Sequence, residues 1–180
     1  MQTDEQLVTD LRLGLTEAFA ALYTRYKRSI YSFCFNISLD RFLAEDATHD
    51  TFMKMQQHIH TLNDSSVFRS WLYAIARNQV YKLLQKRQVN GKLSDELVWD
   101  GPQPDTMMES LEERELIALC LNKLKPEYRE VLTLREFEQL SYAEIASITG
   151  DSESSVKSRL FKARHALAEK LRPYYQRGEI

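Results

Sequence analysis

The sequence predicts an all-α protein of two small helical domains joined by an acidic linker, on three observations. Helix formers dominate, and only five Gly and four Pro occur in 180 residues, so few positions break a helix. Apolar residues recur at close to a 3.6-residue period, without the sustained alternation of a half-buried strand. Breakers cluster at Gly91, Gly101, Pro102 and Pro104, with Asp100-Gly101-Pro102 a strong turn signal. They divide the chain into a first domain at 1–90, a linker at 91–108 and a second domain at 109–180. The hydrophobic fraction of 43% suffices for packed cores.

Taken in order, Thr16–Ser38 carries Phe19, Leu22, Tyr23, Tyr26, Ile30, Phe33, Cys34 and Ile37 at helical spacing. A second helix at 43–60 carries Ala47, Phe52, Met55 and Ile59, and Asp64-Ser65-Ser66 follows it as a break. A third at 68–88 carries Leu72, Ile75, Ala76, Val80, Leu83 and Leu84. In the second half, 111–124 stops before Pro126, 127–138 follows, and two short helices flank Gly150. The spacing predicts about seven helices. Cys34 and Cys120 each sit inside an apolar pattern, without CxxC or Cys/His metal spacing. They read as small buried apolar residues in a reducing compartment. The start, Met1-Gln2-Thr3-Asp4-Glu5, is polar and acidic, and no apolar run approaches a membrane span. A cytoplasmic location without membrane insertion is expected.

The formal net charge of −2 conceals strong segregation. Residues 68–92 hold six bases (Arg69, Arg77, Lys82, Lys86, Arg87 and Lys92) and no acid. Residues 93–115 hold eight acids against Arg114 alone. Residues 154–177 hold seven bases against Glu169 alone. Two basic surfaces flanking an acidic connector are the pattern of a protein that meets a polyanion at two places.

A motif in the second half says how. Ser141-Tyr142-Ala143-Glu144 has the form of a capping box, Ser141 accepting from the Glu144 N–H while Glu144 reaches back to the Ser141 N–H. The short helix it opens carries Ile145, Ala146 and Ile148, and Gly150 supplies the corner. Ser152 then caps a second helix, with Glu153 beside the positive end of its dipole. Small Ala146, turning Gly150 and apolar Val156 stand where a helix-turn-helix needs them. The outward positions of the second helix are Ser154, Ser155, Lys157, Ser158, Arg159, Phe161 and Lys162. Short hydroxyls and long cations suit base edges and phosphates in a major groove. The bland reading is an α-hairpin with a solvated basic face; the box, corner, second cap and basic helix together favour DNA.

Three segments resemble bacterial sigma factors of the extracytoplasmic-function kind. Phe68-Arg69-Ser70-Trp71-Leu72-Tyr73-Ala74-Ile75-Ala76-Arg77-Asn78 looks like their promoter-melting helix. Ala44-Glu45-Asp46-Ala47-Thr48-His49-Asp50-Thr51-Phe52-Met53-Lys54 is similar to their polymerase-docking helix. Leu124-Lys125-Pro126-Glu127-Tyr128-Arg129-Glu130-Val131-Leu132, running into Leu140-Ser141-Tyr142-Ala143-Glu144-Ile145-Ala146, resembles their second conserved domain. The resemblance implies a first domain that docks polymerase and melts the promoter, and a second that reads the upstream element. It implies that Asp46, Asp50, Lys54 and Gln57 meet a coiled coil of the large polymerase subunits, with the polymerase flap a second contact. Asp46, Asp50 and Lys54 lie at i, i+4 and i+8, on one helix face. It implies start-proximal DNA contacts by Asn63, Asp64, Ser65, Arg69, Arg77, Asn78, Lys82 and Lys86, on duplex and then on melted strand. The 63–67 loop would capture a base flipped from the opened strand, at a cost of a few kcal/mol that pocket contacts offset. Trp71 and Phe68 could serve as stacking platforms, but their spacing beside Leu72 and Ile75 favours core packing. An anti-sigma factor, or another recruiting partner, is a further implied partner.

Two other functional classes stand beside this one. A regulator using only its helix-turn-helix, with a sensing N-terminal domain, would bind duplex DNA without polymerase. An enzyme would need a phosphate loop, nucleophile elbow or metal-spaced His cluster, and the sequence has none of these. His58 and His60 are two apart and point to different helix faces, so neither a metal nor a cofactor is expected.

Overall fold

A computed structural model describes residues 2–89 and 111–177, and the described residues are helices joined by turns. The linker expected at 91–108 lies outside the described residues. The first half holds α1 (Asp4–Arg12), α2 (Thr16–Ser38), α3 (Arg41–His58) and α4 (Phe68–Val89), with 3-10 turns at Ile59–Thr61 and Ser65–Val67. The second holds α5 (Leu111–Asn122), α6 (Pro126–Leu132), α7 (Tyr142–Thr149) and α8 (Glu153–Arg177), with a π-helical turn at Thr133–Phe137.

Helix α1 had no counterpart in the sequence reading. It is nine residues long, too short to hold by itself in water. A Thr3–Gln6 capping box starts it, and Leu7, Val8 and Leu11 bury its inner face. Arg12 secures its far end by donating to the carbonyls of Ile59 and Leu62. Between α2 and α3 the chain turns at Leu39, which takes the left-handed φ of 54°, and Asp40 caps α3 by accepting from the Leu43 N–H at 3.0 Å. α2, α3 and α4 then pack around Phe33, Phe52, Phe68 and Tyr73, each at most 2% exposed. Edge-to-face pairs order this core: Phe33–Tyr73 at 5.3 Å, Tyr23–Phe52 at 4.8 Å and Tyr26–Phe68 at 5.7 Å between ring centres. Phe68 is therefore core, and Trp71 is half-buried against it. Cys34 is fully buried, and burial pushes its thiol up to about 12. Both cysteines are free and buried.

In the second half Pro126 begins α6 at the position where its fixed φ and missing N–H cost least. The single helix expected at 127–138 divides. After Leu132 the backbone widens into the π turn, and Gln139, at φ 53°, reverses it. α7 and α8 meet through Ile145, Ile148, Val156, Leu160 and Ala163, all buried. The second helix of the motif is not short: α8 runs 25 residues, and its later turns pack against α5. Gly150 takes φ 74° at the corner, and a Cβ there would meet nothing within 4 Å. Gly150→Ala is thus expected to cost only backbone strain, about 1–2 kcal/mol, measured as a lower urea midpoint at unchanged m-value.

The two halves are not held apart. α6 packs on α2, α7 packs on α4, and one buried apolar cluster runs through both.

Candidate nucleic-acid interface

The helix-turn-helix forms as its residues dictate. Ser141 Oγ accepts from the Glu144 N–H at 3.2 Å, and the Ser141 N–H donates to Glu144 Oε2 at 2.7 Å. Partial burial works to raise the Glu144 pKa, but these Ser141 hydrogen bonds and the charge of Arg69 bring it below the usual range. Ser152 caps α8 by accepting from the Ser155 N–H at 3.2 Å. With Val156 and Leu160 turned inward, Ser154, Lys157, Ser158, Phe161 and Lys162 form an exposed stripe on α8. Phe161 is 73% exposed, an aromatic ring held in water beside two cations. Ser155 and Arg159 lie on the flank instead, half-buried. Arg159 pairs with Asp151 at 2.8 Å. Burial tends to raise the Asp151 pKa, and hydrogen bonds from Arg159 and Thr149 overcome it and lower it. Tyr142 carries Lys157 and Arg135 over its ring, at 5.3 and 4.8 Å from its centre.

In the first half, α3 buries Ala44, Ala47, Thr48, Thr51, Phe52 and Met55 and turns Asp46, Asp50 and Gln57 to solvent. Lys54 is half-exposed and donates to Gln57 Oε1 at 3.3 Å. Phe42, 77% exposed, and Met53 add apolar surface to the same helix. The turn after α3 exposes Asn63 and Asp64 and half-buries Ser65. Asp64 accepts from the Ser66 N–H at 2.8 Å. Hydrogen bonds from the Ser66 hydroxyl and backbone lower its pKa, so the loop keeps a shaped, charged tip. Behind it lies an open cleft of about 440 Å³ among Thr3, Asp4, Arg25, Ser65, Phe68 and Arg69. Asp4 accepts there from Arg25 and from the Tyr26 hydroxyl.

Along α4, Asn78, Lys82 and Lys86 are exposed. Arg69 and Arg77 are half-buried and already engaged, by Glu138 at 3.1 Å and Glu130 at 2.6 Å. The structure thus brings the 63–65 loop beside Arg69 at the start of α4, spreads Arg77, Asn78, Lys82 and Lys86 along the rest of that helix, and places the exposed stripe of α8 in the second half. Among the described residues no group of His, Cys, Asp and Glu could hold a metal ion, and no helix is long and apolar enough to cross a membrane.

Comparison with known proteins agrees with this layout. Residues 22–89, spanning α2 to α4, match the family model "Sigma-70 region 2", and residues 106–167 match "Sigma-70, region 4". The chain is 33% identical over 159 residues to the ECF RNA polymerase sigma factor SigM of Bacillus subtilis, covering 87% of this chain and 94% of SigM. The chain belongs to the ECF sigma factors. The ECF RNA polymerase sigma-E factor of Escherichia coli is 29% identical over 191 residues, covering 97% of each chain. Among solved structures, the sigma factor RpoE of Bartonella quintana, in complex with the anti-sigma factor NepR, superposes with a TM-score of 0.72 at 26% identity. That match covers 86% of this chain and 96% of RpoE. ECF sigma factors direct RNA polymerase to promoters and are initiation factors, not enzymes.

Two residues of this sigma factor escaped the sequence reading. Arg129 and Glu130, 6% and 0% exposed, fall in a stretch whose charges look solvated by period. Burial lowers the Arg129 guanidinium to about 10, and burial raises the Glu130 carboxyl against the pull of Arg77. Adjacent opposite charges in a chain give no sign of being buried, because the Glu130 partners come from the other domain and those of Arg129 are backbone carbonyls of both.

Proposed function

We infer that this ECF sigma factor binds core polymerase through the outer face of α3 and grips the promoter at two places. Asp46, Asp50, Lys54 and Gln57 form the docking face, which meets the large-subunit coiled coil, with the flap as a contact of region 4. Asn63, Asp64, Ser65, Arg69, Arg77, Asn78, Lys82 and Lys86 serve the start-proximal element. The Asn78 amide suits base edges, and the cations suit phosphates. The loop at 63–65 and the cleft behind it offer a polar recess for an extruded base. Ser154, Ser155, Lys157, Ser158, Arg159, Phe161 and Lys162 read the upstream duplex, Phe161 being suited to a thymine methyl.

One observation carries this reading: polar faces unused by packing stand outward on α3 and α8, in the two segments that match regions 2 and 4. The match over region 2 also removes the motive for a stand-alone regulator with a sensing domain. The boundaries follow as 1–90, 91–108 and 109–180, with the acidic connector as tether. A cytoplasmic protein controlled by an anti-sigma factor or another recruiting partner fits the same reading. In vitro transcription with cognate core polymerase on a promoter library tests it. Start-site-specific transcripts that depend on this chain are expected; sequence-specific duplex binding at full strength without polymerase would overturn it.

A further inference from the structure

The π turn at Thr133–Phe137 brings a cation to the helix-turn-helix from outside it. Arg135 lies within that turn, half-buried, and π-helical turns occur frequently at functional sites. Its Nη1 donates to the Leu140 carbonyl at 2.7 Å, across the reversal that Gln139 makes at φ 53°. The guanidinium carbon then stands 4.8 Å from the centre of the Tyr142 ring, and Lys157 Nζ stands 5.3 Å from the same centre. Tyr142 is the first residue of α7, and Lys157 belongs to the exposed stripe of α8. Three separate stretches of chain thus bring two cations to one aromatic ring.

Two arginines of α8 are neutralised within the fold, and this pair is not. Arg164 donates to Glu136 Oε1 from Nε at 3.0 Å and from Nη2 at 2.7 Å. Arg159 is held by Asp151, and the Glu144 carboxylate is spent on Ser141. Arg135 meets no carboxylate among the described residues. Lys157 has Glu153 at 3.8 Å, with both side chains more than half exposed, a pair that water screens to little value. A ring face attracts each cation, but two like charges gathered on one ring repel each other. An anion set against both relieves that repulsion, and phosphate oxygens accept from a guanidinium and an ammonium alike. Because Lys157 belongs both to this pair and to the outward stripe of α8, a polyanion that meets the stripe also meets the pair.

We propose that Arg135 and Lys157 clamp one backbone phosphate of the upstream duplex, with Tyr142 as the positioning residue whose ring sets their spacing. The proposal rests on the reading of α8 as the upstream-element helix, and adds to it a DNA contact from the turn before α7. Its test is binding of the holoenzyme, formed with cognate core polymerase, to duplex carrying the upstream element at several salt concentrations. Arg135→Gln is expected to weaken binding roughly tenfold, as loss of one charge-assisted contact allows. The factor should be the same for every upstream sequence, with the salt slope lower by close to one ion. Tyr142→Phe keeps the ring and is expected to bind as wild type does. Tyr142→Leu keeps apolar bulk without the ring, and in that background Arg135→Gln is expected to cost less than about twofold. Wild-type affinity and slope for Arg135→Gln, while Lys157→Ala still lowers the slope, overturn the clamp alone. An unchanged slope for Lys157→Ala as well overturns the reading of α8 from which the clamp extends. Tyr142→Phe as weak as Tyr142→Leu, or an undiminished cost of Arg135→Gln beside Tyr142→Leu, overturns the positioning role of the ring. A loss of core polymerase affinity in Arg135→Gln that accounts for its loss of DNA binding assigns the arginine to a protein partner and overturns the clamp. Arg135→Gln decides the clamp even where Tyr142→Leu fails to fold.

Discussion

Asp46→Ala/Asp50→Ala is expected to leave this sigma factor folded and all but unable to bind core polymerase. Both carboxylates are exposed, and neither makes a side-chain hydrogen bond or ion pair among the described residues. The pair therefore contributes little to the fold, and surface changes of this kind stay within about 0.5 kcal/mol. Their neighbours Ala47 and Phe52, at 0% and 2% exposed, hold α3 rigid, so the two side chains project from a fixed platform. Interface anchors of this kind are worth about 2 kcal/mol or more when truncated. A loss of about 3 kcal/mol for the pair corresponds to roughly a hundredfold weaker complex. Titration of labelled core polymerase measures it, with thermal unfolding as the control. Polymerase affinity within about twofold of wild type, well under 1 kcal/mol, would remove the outer face of α3 from the docking surface.

The second large effect is expected in region 4. Lys157→Ala/Arg159→Ala should reduce transcription from the cognate promoter by about a hundredfold at constant polymerase affinity, base and phosphate contacts being worth about 1–3 kcal/mol each. The two positions are not equivalent in the structure. Lys157 lies in the exposed stripe, whereas Arg159 is held by Asp151 on the flank. Lys157→Ala alone should weaken binding to every upstream sequence alike and lower the salt slope by close to one ion. Arg159→Ala alone should relax discrimination between bases, because a guanidinium that leaves Asp151 for a guanine edge carries sequence information. Holoenzyme binding to a set of upstream-element variants at several salt concentrations separates the two. Equal salt slopes for wild type and Lys157→Ala would deny Lys157 its phosphate.

How much of this was legible beforehand follows the range of the forces involved. The capping box at Ser141 and Glu144, the corner at Gly150 and the Ser152 cap are contacts within a few residues, and all three formed as read. The apolar faces of α2, α3 and α4 likewise followed from spacing, because a helix repeats its geometry every few residues. Helix α1 was missed because its stability comes from Leu7, Val8 and Leu11 packing on a distant core rather than from local propensity. The π turn at Thr133–Phe137 was missed for the same reason.

From order of residues alone came most of the helices, the turn between α7 and α8, the two basic faces and the acidic stretch between them, and the three segments whose resemblance pointed to the family. Folding decided which charges are spent inside the protein. Arg77 and Glu130 are 53 residues apart, Arg69 and Glu138 are 69 apart, and nothing local to either partner announces the other. Periodicity tells a side chain which way to point, but only the meeting of two domains determines whether it points at water or at an opposite charge.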